Sequence, residues 1–183
     1  MKPTPIEATG NNKEAMVQIL PHLYLGPRSS TAPASALASG ITHIISIGSK
    51  PQGGDTSISY HRIGLLDTPS ASLRTPAHLA SEIINAARAG RPDAKVLVHC
   101  VAGVSRSPAV IAAHLILEED MSLRDALAKL VGARPAVRPN DGFLAQLKEL
   151  EVQTRGGKTS IEVETLPLSL KERRELLSCS ALP

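Results

Sequence analysis

The chain is poor in aromatic residues. They make up 2% of its 183 residues, with no Trp, two Tyr and one Phe. Its core must therefore be built from aliphatic side chains, and a surface that reads single-stranded nucleic acid by base stacking is excluded. Cysteine is also scarce. Cys100 and Cys179 lie far apart, too few for a disulfide framework or a zinc ligand set, and they read as free thiols of a reducing compartment. No apolar run is long enough to span a membrane, the first twelve residues contain no signal-peptide core, and Lys2 departs from the N-myristoylation pattern. Neither sign of charge dominates: the formal net charge is +3, which favours anionic substrates but is too small and too scattered for nucleic-acid binding. These features predict a cytoplasmic or nuclear protein without membrane or nucleic-acid partners, and they leave its oligomeric state open.

What is present is organised as alternating strand and helix patterns. Residues 1–15, rich in Pro, Thr, Asn and charge, read as a mobile leader. Gln18 to Gly26 suits a short strand pair, and Ser30 to Ser39 a short helix ending at Gly40. Ile41 to Ile47 has the continuous apolar pattern of a buried strand, and Ser49 to Ser57 that of a loop. A further strand, Ile58 to Leu66, ends at Asp67. Thr75 is expected to cap a helix beginning at Pro76, with Leu79, Ile83, Ile84 and Ala87 on its buried face. Val96 to Cys100 forms another strand. The helix after Arg106 is apolar nearly all round until Glu118, so it must be central. Ser122 and Asp125 open a helix closed at Gly132. A last helix, capped by Asn140 or Asp141, carries Phe143, Leu144, Leu147 and Leu150. The regular pattern breaks at Gly156-Gly157, setting apart a core domain, residues 16–152, from a partly helical tail, residues 153–183. Strands alternating with helices imply an α/β layer fold.

The most informative stretch runs from His99 to Ser107. It holds Cys100, the small residues Val101, Ala102 and Gly103, then Val104, Ser105, Arg106 and Ser107, between a strand and a buried helix. Small residues let successive amides turn inward as an anion-binding nest, and the helix start adds positive potential. Arg106 offers a planar fork that matches two phosphate oxygens. The same field lowers a thiol's pKa, which makes Cys100 a thiolate nucleophile rather than an inert buried cysteine. The residues expected to bind phosphate are therefore Val101, Ala102, Gly103, Val104, Ser105 and Arg106. His99 reads as a hydrogen-bonded histidine that orders the loop and, without companion ligands, not as a metal ligand. Ser107 either caps the helix or stabilises the thiolate. Ser105 reads as a hydroxyl bonded to loop backbone.

On these residues the chain resembles the cysteine-dependent protein-tyrosine phosphatases, and within them the small dual-specificity phosphatases. The superfamily signature is His-Cys, five residues, Arg, then Ser or Thr, and the sequence Gly103-Val104-Ser105-Arg106-Ser107-Pro108 has the dual-specificity form. The similarity spans residues 17–151. It includes Leu23-Tyr24-Leu25-Gly26, the stretch Gly40 to Ile45, Arg134-Pro135, and Pro139-Asn140-Asp141-Gly142-Phe143 followed by Gln146-Leu147.

The resemblance implies a central mixed β-sheet flanked by helices, a cysteinyl-phosphate mechanism without cofactor or metal, and phosphorylated protein substrates. It also implies an upstream general acid. Asp67, 33 residues before the cysteine, is the candidate, although an Asp at a strand end is also a common turn former, and Asp55 is the weaker alternative. Asn140 matches a position that supports the phosphate loop and would equally serve as a helix cap. Arg138 would meet a second acidic group or simply face solvent. The sequence lacks the additions that deepen the pocket of tyrosine-only enzymes, which implies access for phosphoserine and phosphothreonine as well as phosphotyrosine. Neutral residues at Val101, Ala102 and Val104 speak against phosphoinositides. A phosphoinositide or RNA 5′-phosphatase, and a phosphate-binding adaptor without turnover, remain the alternatives.

Overall fold

The computed structural model describes residues 15–178; residues 1–14, most of the expected leader, and Cys179 lie outside them. Five short strands form one sheet. They are β1 (Val17–Leu20), β2 (Leu23–Gly26), β3 (His43–Ile47), β4 (Ser59–Ile63) and β5 (Val96–His99), in the spatial order β1-β2-β5-β3-β4. β1 pairs antiparallel with β2, and every other pairing is parallel, so the sheet is mixed as expected.

β5 lies in the middle, with Leu25 beside Val98 on one flank and Ile45 beside Val98 on the other. Its two faces enter different cores. Val96 and Val98 join Leu23, Leu25, Ile45 and Ile47 under the larger set of helices, while Leu97 joins Ile44, Ala36, Ile41 and Ile58 on the opposite face. A strand buried on both faces needs the continuous apolar run seen here rather than an alternating one.

The helices are α1 (Pro33–Ala38), α2 (Arg74–Gly90), α3 (Arg106–Glu118), α4 (Leu123–Ala133), α5 (Asp141–Arg155) and α6 (Leu170–Ser178). α3 is buried without interruption from Ser107 to Ile116 because α2, α4 and α5 all pack around it.

Three local expectations are corrected. α2 begins at Arg74 with Leu73 in the cap position and no side-chain cap, so Thr75 lies inside the helix; the Leu73 amide donates instead to Gln146 Oε1 of α5 at 2.7 Å. Its buried face is Ala77, Ala80, Ile84 and Ala87, and Leu79 points outward. Gly132 is within α4 rather than past its end. Asn140 is the cap of α5, accepting from the Phe143 amide at 3.0 Å.

The segment after α5 packs onto the body. Ile161, Leu166 and Leu177 are buried in the main core, and α6 lies against α4. Glu151 of α5 fastens it. One carboxylate oxygen accepts from the Leu123 amide at the start of α4, and the other from the Ser160 amide, both at 2.8 Å.

Candidate active site

Cys100 directly follows β5, at the floor of a loop that leads into α3. The carbonyls of that loop are tied outward one after another. Val101 O accepts from the Arg28 amide at 3.0 Å, Ala102 O from Arg134 Nη2 at 2.9 Å, Gly103 O from Arg134 Nε at 3.0 Å, and Val104 O from the Arg138 amide at 2.8 Å. A backbone whose carbonyls are all engaged on its outer side has its amides left for the inner side, which is the geometry of an anion-binding nest. Gly103 takes the left-handed turn this path requires, with φ of +65°. A Cβ there would meet the Gly26 carbonyl oxygen at 2.7 Å, so the position has no room for a side chain.

The thiol is buried, 2% exposed, and receives two hydrogen bonds: from the Gly103 amide at 3.2 Å and from Ser107 Oγ at 3.3 Å. Burial on its own pushes a thiol up. Here the Ser107 hydroxyl together with the Ser107, Gly103 and Val104 amides outweighs burial and holds Cys100 below its ordinary value. Of the two roles open for Ser107 in the sequence, the hydroxyl is thus placed against the sulfur.

His99 is fully buried, with Nε2 2.8 Å from Ser46 Oγ on β3 and Nδ1 3.1 Å from the Cys100 carbonyl. Burial holds it below its ordinary value, so it is a neutral tie between strand and loop. Arg106 opens α3 and donates from Nη1 to the Gly48 carbonyl at 2.8 Å, which orients the guanidinium. Gly48 has φ of +56°, and a Cβ there would come within 2.7 Å of that same Nη1.

Asp67 follows β4 and reaches the loop from the other side of the cleft. Its Oδ2 is 3.4 Å from Arg106 Nε, an ion-pair contact, while Oδ1 accepts from Ser105 Oγ at 2.7 Å and from Asn140 Nδ2 at 3.0 Å. Ser105 also accepts from the Asn140 amide at 3.1 Å. Ser105 is therefore a bridge from loop to Asp67, beyond the backbone role expected. Asn140 caps α5 with its side-chain oxygen and holds Asp67 with its side-chain nitrogen, while its backbone amide donates to Ser105 of the loop. Asp55 is spent elsewhere, accepting from the Ser57 amide and hydroxyl. Arg138 is half-buried, and its Nε donates to Leu166 O at 3.0 Å.

Arg134, buried at 6% exposure, is one of the residues of this site that sequence reasoning leaves without a role. A single Arg beside a Pro carries no local signal that it will reach 31 residues back to two loop carbonyls. Gly142 is similar. A Cβ there would fall 1.9 Å from the Pro69 carbonyl oxygen, so its bare backbone lets the Asp67 loop abut the start of α5.

A buried thiolate beneath inward amides, with a guanidinium beside it and a carboxylate across the cleft, defines an oxyanion receptor built around a nucleophile, the site of a cysteine-dependent phosphatase. Residues 23–153 match the model of the dual specificity phosphatase catalytic domain, and the chain belongs to that family. It is 34% identical over 135 residues to mouse dual specificity protein phosphatase 15, covering 73% of this chain and 57% of the relative. To the human protein of that name it is 36% identical over 132 residues, covering 72% and 44%. The chain thus spans about half the length of these curated relatives. Among solved structures, human tyrosine phosphatase-like serine/threonine/tyrosine-interacting protein superposes with a TM-score of 0.70 at 33% identity, covering 76% of this chain and 97% of that one.

Proposed function

We propose that this protein hydrolyses phosphate monoesters on proteins, on tyrosine and on serine or threonine, through a phosphorylated Cys100. The observation that carries the proposal is the pair of hydrogen bonds that Gly103 and Ser107 place on the Cys100 sulfur at the base of the nest.

In the first step the Cys100 thiolate attacks phosphorus while the loop amides and Arg106 hold the non-bridging oxygens. The bond from phosphorus to the leaving oxygen breaks, and that oxygen takes a proton from Asp67. In the second step Asp67, now a carboxylate, takes a proton from a water whose oxygen attacks phosphorus. The sulfur–phosphorus bond breaks, inorganic phosphate leaves, and the thiolate is restored with the Ser107 hydroxyl stabilising it. Binding supplies position and preorganised donors rather than new covalent chemistry. Ser105 and Asn140 are positioning residues for Asp67, and Arg134 and His99 for the loop.

Breadth toward protein substrates rests on the family and on the rim. Val101 is 56% and Leu66 74% exposed beside Cys100 and Asp67, two apolar surfaces available to a peptide. A reducing compartment, cytoplasm or nucleus, suits a catalytic thiolate. The same fold also serves the human tyrosine phosphatase-like serine/threonine/tyrosine-interacting protein, which favours the adaptor reading; the intact Cys100, Arg106 and Asp67 set favours turnover.

The test is a panel of para-nitrophenyl phosphate, phosphotyrosine and phosphoserine peptides, phosphoinositides and 5′-triphosphorylated RNA. Turnover of the aryl ester and both peptides, vanadate-sensitive and reduced at least about 10⁴-fold in Cys100→Ser, is expected. Turnover confined to lipid or RNA would overturn the substrate assignment, and unaltered turnover in Cys100→Ser the mechanism.

A further inference from the structure

At the end of α3 remote from Cys100, three side chains from two distant segments converge. His22 lies in the turn between β1 and β2, His114 is on α3, and Glu119 follows its last residue. One ligand atom from each lies within 4.8 Å of the other two. His114 is fully buried, with Nδ1 3.0 Å from Ser81 Oγ, and both His114 Nε2 and His22 Nε2 are buried without a hydrogen-bond partner. Two buried imidazole nitrogens left without a partner are costly unless something satisfies them.

We propose that His22, His114 and Glu119 bind a divalent cation of the zinc class, which clamps the β1–β2 turn to the C-terminal end of α3. Two imidazoles and a carboxylate, with a fourth position open to water, are a zinc-type donor set. Tetrahedral bond lengths put the ligand atoms about 3.4 Å apart, so closure requires shifts of only about an ångström. Glu119 is at least partly exposed and can make them.

The supporting contacts have the right form. Ser81 holds the far nitrogen of His114 and so fixes its ring, the usual outer partner of a liganding histidine. The His22 backbone is held by its carbonyl, which accepts from the Val96 amide at 2.8 Å. Arg88 of α2 lies close enough to both rings to act on them and opposes a cation; Glu118, held by Asn85 Nδ2 at 2.9 Å, and Glu119 together offset it. A metal here departs from the sequence reading, which expects none, because that reading has no signal that brings His22 beside His114. This site is separate from the Cys100 loop and carries no step of the reaction.

The test uses the full chain with Cys100→Ser and Cys179→Ser, so that no thiolate can hold the ion. Titration with Co²⁺, followed by its visible ligand-field absorption, and Zn²⁺ competition against a chromophoric chelator are expected to show one site. Zn²⁺ at a hundredfold excess over its Kd should raise Tm by roughly 5–10 °C. His22→Ala and Glu119→Gln should each weaken binding about 10- to 100-fold and remove the Tm shift, while both variants remain folded by circular dichroism. No tetrahedral Co²⁺ spectrum in the parent, or a single site of unchanged affinity in His22→Ala, would overturn the assignment.

Discussion

The two ends of α3 are built on opposite plans. At its N-terminal end nearly all polar groups are engaged: the loop carbonyls 101–104 by Arg28, Arg134 and the Arg138 amide, the sulfur by Gly103 and Ser107, and Asp67 by Ser105 and Asn140, while Arg106 Nε keeps only its 3.4 Å ion-pair contact with Asp67. At the C-terminal end two buried imidazole nitrogens have no partner. The first is a preorganised receptor, in which donors are fixed before substrate arrives and little reorganisation is left for the reaction. The second is held by structural contacts around a gap. Arg155 binds Asp120, and Glu151 ties α5 to α4 and to the segment after it. The contrast teaches that rate and stability are carried by different ends of one helix, so substitutions at each end should move one and leave the other nearly unchanged.

The largest effect on this division is expected from Asp67→Asn. Removing a general acid costs about 10²- to 10⁴-fold. Because an alkoxide leaves less readily than a phenolate, the loss should be greater for phosphoserine peptides than for para-nitrophenyl phosphate. Equal losses on the two, measured as kcat, would remove Asp67 from the acid role. Arg134→Met should come next. It frees the Ala102 and Gly103 carbonyls to turn, and misplacing donors by about an ångström costs on the order of 10²-fold. A normal vanadate affinity in this variant would show that the loop holds its shape without Arg134.

A smaller and more specific effect is predicted for Ser107→Ala. The Cys100 thiol is held below its ordinary value, so it is mostly thiolate above that lowered pKa and loses the charge as pH falls through it. The pH profile of iodoacetamide alkylation should therefore have its midpoint below the value of about 8.5 for a free thiol, and Ser107→Ala should move it upward. A midpoint unchanged by the substitution would leave the hydroxyl as a helix-cap residue only.

The smallest effect on rate, and the clearest on stability, belongs to Glu151→Gln. Burial pushes this carboxyl up, but the Ser160 and Leu123 amides and the Ser160 and Thr159 hydroxyls outweigh it, and its folded value is depressed. A depressed carboxylate stabilises the fold above its unfolded pKa of about 4.3, and that contribution is lost as pH falls through the folded value. The substitution should cost about 1–3 kcal/mol at pH 7 and less in acid, by urea denaturation, with kcat unchanged. A matching loss of kcat would break the separation between the two ends.

How much of this was legible in the sequence follows the same divide. The nucleophile, the arginine and the serine after it lie within eight residues, so their spacing alone places them on one strand-to-helix turn. The centre of the sheet was legible too, since β3 and β5 are nearly continuous apolar runs, whereas the edge strand β4, Ser-Tyr-His-Arg-Ile, is mostly polar. Arg134, Ser46 and Gly48 were not assigned, because each acts on the site across 31, 53 and 58 residues of chain, through contacts without a local pattern. The start of α2 was misplaced for the same reason: its amide is satisfied by Gln146, 73 residues away, and not by a neighbouring cap. Leu79 follows helical spacing yet faces solvent, since hydrophobicity marks a stripe without marking its centre. Residues 159–178 fold onto α4 with the help of Glu151 and Arg124, and no charge pattern announces the burial of Glu151.

The central claim is that the loop makes Cys100 the atom that takes the phosphoryl group. The direct measurement is acid quenching of the protein during turnover of a ³²P-labelled phosphopeptide, followed by peptide mapping of the labelled residue. The account predicts label on the peptide containing Cys100, at a steady-state level that falls to background in Cys100→Ser. Label on another residue, or turnover with no phosphoenzyme in the wild type even when quenched before the first turnover is complete, would contradict it.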